Sequence, residues 1–208
     1  MSKLAIFGAS GHGKVVAEIA ELNGWSEIVF FDDAWPSITQ LEGWRVNGVT
    51  DTLINSLHEF DAFFVAIGNN AIRLDKHITF ELAGGKATSL IHPSAVVSKY
   101  SKLASGTAVM ANAVVGAFTS VGKAGIINTN CTIDHDCKLE EAVHISPGAN
   151  LAGGVKIGRC SWIGIGASII QQIQVDCNVI VGAGAVVIND VMQGLSVAGV
   201  PAKRIHIK

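Results

Sequence analysis

Charge of one sign, basic runs and paired cysteines are all missing from this 208-residue chain. Its 15 Lys and Arg against 17 Asp and Glu leave a formal charge of −2 and a pI near 6.4. Such a balance leaves no electrostatic footprint for nucleic acid or an anionic membrane surface, so neither is an expected partner. Uninterrupted apolar runs stay short of the roughly 20 residues that a membrane span needs. The start, MSKLAIFGASGHGKVV, lacks the features of a secretory signal, which predicts a cytoplasmic protein without membrane insertion. Cys131, Cys137, Cys160 and Cys177 contain no CxxC pair, which argues against a disulfide framework or a zinc knuckle and predicts reduced thiols.

What is present is a chain 49% hydrophobic and 15% charged, enough for one large domain or two modest ones with real cores. Two patterns divide it. Up to about residue 88, apolar strands alternate with helical segments. LAIFG (4–8), IVFFDD (28–33) and DAFFVAIGNN (61–70) read as strands, the last ending in a loop. KVVAEIAELNG (14–24) has helical periodicity with Gly24 as its stop, and residues 71–82 form a second helix. This is the order of a small parallel α/β domain over residues 1–88.

From residue 91 a six-residue step takes over. Every sixth position from Ile91 through Val97, Leu103 and onward to Val187 is Ile, Leu or Val, seventeen in all. If a third of positions were such residues, that run would arise by chance about once in a hundred million. A second series four residues later is mostly small, from Ala95 through Cys131 and Cys137 to Ala167, and glycines recur just after the aliphatic position. A helix fails this test, because six steps of about 100° rotate the side chain some 240° from its start. A solenoid satisfies it: one aliphatic per short strand points inward, small residues fill the corners, and the coils stack. Residues 89–208 are therefore predicted to be a repeat domain.

These repeats resemble the hexapeptide-repeat acyltransferases, whose coils of about 18 residues wind a left-handed parallel β-helix. The tail SVAGVPAKRI (196–205) is similar to that family's C-terminal signature. With FGASGHGKV in front, FFDD and AIGNN after two strands, and INTNCTIDHDCKLEEAVHIS at 127–146, the whole chain resembles a narrower group. That group is the bacterial nucleotide-sugar N-acetyltransferases of the UDP-N-acetylbacillosamine type and their sialic acid O-acetyltransferase relatives. The resemblance implies a nucleotide-sugar domain before the β-helix, acetyl-CoA as donor, and a homotrimer with active sites between subunits.

At the front, Gly8, Gly11 and Gly13 lie between a strand and a helix, where a backbone can approach a phosphate. Their GxxGxG spacing departs from the dinucleotide fingerprint, and a plain tight turn is the alternative. A dinucleotide site with Asp32 or Asp33 on the ribose would require more strands than this half supplies. The resemblance implies that Ser10, Gly11 and His12 contact the nucleotide sugar, that Asp32 and Asp33 hold its uridine end, and that Gly68 lines the same pocket.

The six-residue frame divides the segment 127–146. Cys131 and Cys137 occupy inward small positions and should pack in the core. His135 and His144 fall off both inward series and should face solvent or a neighbouring subunit. An outward histidine is most often an ordinary surface residue, but Asp134 and Asp136 flank His135, and a carboxylate can orient an imidazole and increase its basicity. Matched to the family, His135 falls on the general base, Asp136 on its supporting acid (often Glu there), and His144 on a contact to acetyl-CoA. Gly153, Ile165 and Ala183 match positions lining the CoA channel. No metal is expected. A β-helical zinc hydratase needs about three histidine ligands, and only two are placed for it. Two further functions fit the same residues: sugar O-acetylation, and a non-catalytic trimer that binds a nucleotide sugar.

Overall fold

The protein is described by a computed structural model covering residues 2–206. The chain forms two compact units, Met1–Ile91 and His92–Lys208. No helix among the described residues is long and apolar enough to cross a membrane.

In the first unit, β1 (Lys3–Phe7), β2 (Glu27–Phe31) and, later in the chain, a strand at Ala62–Val65 form a parallel sheet. β1 is its central strand, with Phe7 opposite Phe31 on one side and Val65 on the other. Apolar residues occur without alternation in these strands because a parallel sheet is covered on both faces. Helix α1 (Gly11–Leu22) follows β1 and stops at Asn23, and Gly24 takes a left-handed φ of 87°. The helix starts three residues before the sequence pattern suggests, because the glycines of the loop join its first turn.

Between β2 and the last strand of the sheet the chain adds a small hairpin, β3 (Gln40–Leu41) with β4 (Trp44–Arg45), and helix α2 (Thr50–Ser56). These elements are too short to leave a periodic signal. After β5, the Ala62–Val65 strand, Asn69 caps helix α3 (Asn70–Leu82), its side-chain oxygen accepting the Ile72 N–H at 3.1 Å. Phe7, Phe63 and Phe80 meet edge-to-face beneath this layer, with centroids 5.2 and 5.5 Å apart.

The second unit is a three-sided parallel β-helix. Each of the seventeen aliphatic positions is the second residue of a two-residue strand. Strand partners lie 18 residues apart: Val115 faces Ile133, Val121 faces Leu139, and Ile127 faces Ile145. A coil thus takes three hexads, giving a first face through Val115 and Ile133, a second through Val121 and Leu139, and a third through Ile127 and Ile145. The first face has six strands and the second has five. From Val109 to Val187 the inward aliphatics are buried, whereas Ile91, Val97 and Leu103 in the first coil are half-buried.

Cys131 and Cys137 are fully buried, as their place in the frame requires. Burial pushes the Cys131 thiol up to about 12 and raises that of Cys137, so neither is a nucleophile near neutral pH. The corners show a further regularity that side-chain polarity hid. Every sixth residue from Gly106 to Gly184 has positive φ, whether glycine or not. Because each coil rests on its neighbours, Ile145→Ala should cost about 2–5 kcal/mol, seen as a lower urea midpoint.

Candidate active site

The first-face strand Thr132–Ile133 delivers the chain into a corner formed by Asp134, His135 and Asp136. Asp136 has the corner's left-handed φ of 58°, which suits a short acidic side chain. Its Oδ2 lies 2.8 Å from His135 Nδ1, and Asp134 Oδ1 accepts the His135 N–H at 2.8 Å. With Nδ1 donating to the carboxylate, Nε2 carries the free lone pair. The imidazole is raised above its ordinary pKa, first by the hydrogen bond to Asp136, then by the charge of Asp134, against a smaller opposing effect of desolvation.

Beneath this corner the backbone is tightly held. Thr119, one coil earlier and buried, donates its hydroxyl to Asp134 C=O at 2.7 Å and accepts the Cys137 N–H at 3.1 Å. On the coil above, Gly153 faces the ring: a Cβ there would lie 2.6 Å from both Cε1 and Nε2 of His135. Gly153, which the resemblance assigns to the CoA channel, also lies against the imidazole.

His144 opens a strand on the third face. Its ring lies parallel to Trp162, 18 residues on, with centroids 5.6 Å apart and planes 4° from parallel. Its Nε2 is 3.2 Å from Asn128 Nδ2, and Trp162 donates to Ser146 Oγ at 2.7 Å. Ile165 and Ala183 are exposed one coil apart, on the corner that follows the third face. The corner bearing His135 separates the first and second faces, so His144 sits across the coil from it. Sequence reasoning missed Asn128, Trp162 and Thr119, though the 18-residue register places Trp162 directly beside His144.

In the first unit, Ser10 and Gly11 are exposed where α1 begins, and the Ser10 side chain makes no capping bond. A side chain at Gly11 or Gly68 would meet nothing within 4 Å, so neither glycine is required by packing. Asp32 holds the loop itself, accepting Ala9 N–H at 2.7 Å and Ala34 N–H at 2.9 Å. Asp33 accepts from Thr50 N–H at 2.8 Å and from Lys76 Nζ at 2.8 Å. Partial burial raises the Asp33 carboxyl, but Lys76 and Thr50 outweigh it and hold it below the usual range. Both carboxylates thus have protein partners, which the sequence did not reveal.

His12 is pushed down to about 4, first by burial and then by the Arg73 guanidinium, and is neutral near pH 7. Its Nε2 is buried without a hydrogen-bond partner. Arg73 is itself fully buried and donates to Ile67 C=O at 2.9 Å and Gly68 C=O at 3.1 Å, shaping the loop after β5. An arginine in an amphipathic helix reads as solvent-facing, so nothing in the sequence marked it.

Among the described residues, no group of three or more His, Cys, Asp or Glu is placed to hold a metal ion. Comparison with known proteins gives the geometry a family. Residues 3–78 match the PglD N-terminal domain family. The acetyltransferase domain of PglB from Neisseria gonorrhoeae is 45% identical, covering 99% of this chain and 100% of that one, with a TM-score of 0.93. This chain belongs to the hexapeptide-repeat nucleotide-sugar N-acetyltransferases.

The same Neisseria domain has been solved with acetyl coenzyme A, and is 47% identical to this acetyltransferase over 98% of each chain with a TM-score of 0.93. A perosamine N-acetyltransferase from Caulobacter crescentus, solved with CoA and GDP-perosamine, is 36% identical over 99% of this chain and 98% of its own, with a TM-score of 0.94. A UDP-N-acetylbacillosamine N-acetyltransferase from Bacillus subtilis is 36% identical over 53% of this acetyltransferase and 52% of its own length. These named sugar-modifying relatives are N-acetyltransferases, not O-acetyltransferases.

Proposed function

We propose that the protein moves acetyl from acetyl-CoA to the 4-amino group of a UDP-linked 4-amino-4,6-dideoxy sugar, with His135 as general base. The observation that carries this is the His135–Asp136 pair, an exposed imidazole whose Nδ1 is 2.8 Å from a carboxylate and whose Nε2 is turned to Gly153. As the amine attacks the thioester carbon, Nε2 takes its proton. The C–S bond then breaks, and the imidazolium returns that proton to the departing CoA thiolate. Asp136 orients the ring throughout. No acyl-enzyme is involved, consistent with the raised thiols of Cys131 and Cys137.

Residues 1–88 are assigned to the nucleotide sugar. Ser10, Gly11 and Gly68 leave open backbone for it, neutral His12 offers a hydrogen bond rather than a charge, and Asp32 and Asp33 fix the loop walls. Residues 89–208 are assigned to acetyl-CoA, with His144, Gly153, Ile165 and Ala183 along its path and His144 or backbone N–H groups facing the oxyanion. His135 and His144 lie on opposite sides of one coil and cannot meet one acetyl group within a single chain. A homotrimer, in which the corner of one copy faces the third face of the next, is the assembly this supports.

A GDP-linked amino sugar is the second reading. It is favoured by a match over 98% of this chain and 96% of the relative to a GDP-perosamine N-acetyltransferase from Escherichia coli O157:H7, 29% identical. Free-thiol release from acetyl-CoA, measured against UDP-, GDP-, dTDP- and CMP-linked amino and hydroxy sugars, tests both. Release is expected with the UDP-linked 4-amino sugar and not with its hydroxy counterpart. Preference for a hydroxy acceptor, or no release at all, would refute the reading.

A further inference from the structure

The corner that carries His135 continues downward into an aromatic ladder. In the 18-residue register, Asp136 stands one coil above Phe118, and Phe118 one coil above Tyr100, the chain's single tyrosine. Phe118 is 65% exposed and Tyr100 55%, and their rings stack with centroids 5.4 Å apart and planes 21° from parallel. Phe118 also takes the left-handed φ of the corner, 61°, where the coils above use Asp136, Gly154 and Gln172. A bulky residue there is disfavoured, because its Cβ crowds the backbone and it lacks the local hydrogen bond that Asn can make. The positive φ itself is common to all the corners, Ala124, Ala142, Cys160 and Gln172 included, so what sets Phe118 apart is the exposed aromatic ring it holds there.

We propose that Phe118, backed by Tyr100, is the platform on which the acceptor's sugar ring lies while its amine faces His135, which makes Phe118 a specificity-determining residue. The inference rests on the acceptor reading above. Of the residues assigned to the donor, His144 shares the coil of His135, and Gly153, Ile165 and Ala183 belong to later coils, whereas the aromatic pair lies on the earlier side, which is left to the acceptor. Adjacent coils are about 4.8 Å apart, roughly the breadth of a pyranose, so Phe118 lies within one sugar unit of the corner that carries His135 and Asp136, whereas the nucleobase is two phosphates further on. The C–H-rich face of a deoxy sugar is the surface that an aromatic ring accepts best, and a 6-deoxy sugar lacks the hydroxyl that would be desolvated there.

Steady-state kinetics of the full-length F118N and Y100A proteins, with the nucleotide amino sugar that releases thiol from the unsubstituted protein, test this. Phe118→Asn should raise the acceptor KM about tenfold, with Tyr100→Ala smaller, and leave the acetyl-CoA KM within about twofold. Because asparagine suits the left-handed backbone, its melting temperature should hold or rise, which separates lost binding from lost folding. An unchanged acceptor KM in F118N, or a fall in mass by light scattering that marks the pair as a contact between copies, overturns the inference. If the unsubstituted protein releases thiol with no nucleotide sugar, the acceptor reading fails and takes this inference with it. Normal wild-type turnover with an unaltered variant KM sinks this inference alone.

Discussion

His135→Ala is expected to lower kcat by about 10²–10⁴-fold, the usual contribution of a positioned general base. The acetyl-CoA KM should change little, because the proton leaves the acceptor, and the fold should survive, because the side chain is 60% exposed. Asp136→Asn separates orientation from proton transfer. Asp136 is the foremost cause of the raised His135 pKa, with Asp134 second. The base works only when neutral, so kcat/KM falls as pH drops through that raised value. Removing Asp136 brings the pKa back toward the ordinary imidazole range near 6.5. The acid limb of the profile must therefore move to lower pH, while the plateau falls because a less basic, less oriented imidazole remains. Near-normal saturated turnover in His135→Ala, or an acid limb in Asp136→Asn that stays put or moves to higher pH, contradicts the assignment.

The β-helix was legible because its physics is periodic. One buried aliphatic per strand repeats in a frame that no helix or meander can hold, so Val109 through Val187 could be placed inside, and Cys131 and Cys137 removed from the chemistry, on spacing alone. His135 and Asp136 were legible as neighbours in the chain whose carboxylate and ring must both point out, and they pair. Contacts between coils were not. Gly153 read as a channel residue, yet it lies against His135 because a coil brings residue i + 18 directly over residue i. Thr119 under the same turn and Trp162 beside His144 follow the same geometry. In the first unit, Lys76 meets Asp33 only because α3 folds onto a loop far away in sequence, and Arg73 turns back onto Gly68, five residues before it, a bond that helical periodicity does not announce.

That stacking rule makes Gly153→Ala the sharper test of the site, since it removes no ionisable group. Gly153 has no left-handed φ, so alanine carries no backbone penalty there; the nearest obstacle is the imidazole, 2.6 Å from the added methyl carbon. The neighbouring backbone is fixed by Gly154 N–H donating to His135 C=O at 2.9 Å, so the exposed ring must give way rather than the coil. A displacement of about 1 Å at a catalytic group costs on the order of 10²-fold. Gly153→Ala should therefore lose about 10²-fold in kcat with its melting temperature nearly unchanged. Because the ring is pushed from the Asp136 carboxylate, the acid limb should shift to lower pH, as in Asp136→Asn. A role limited to the CoA channel predicts a different split, a raised acetyl-CoA KM with kcat and the pH profile intact. That outcome would confine Gly153 to the donor path and leave the orientation of His135 to Asp136 and the turn above Thr119.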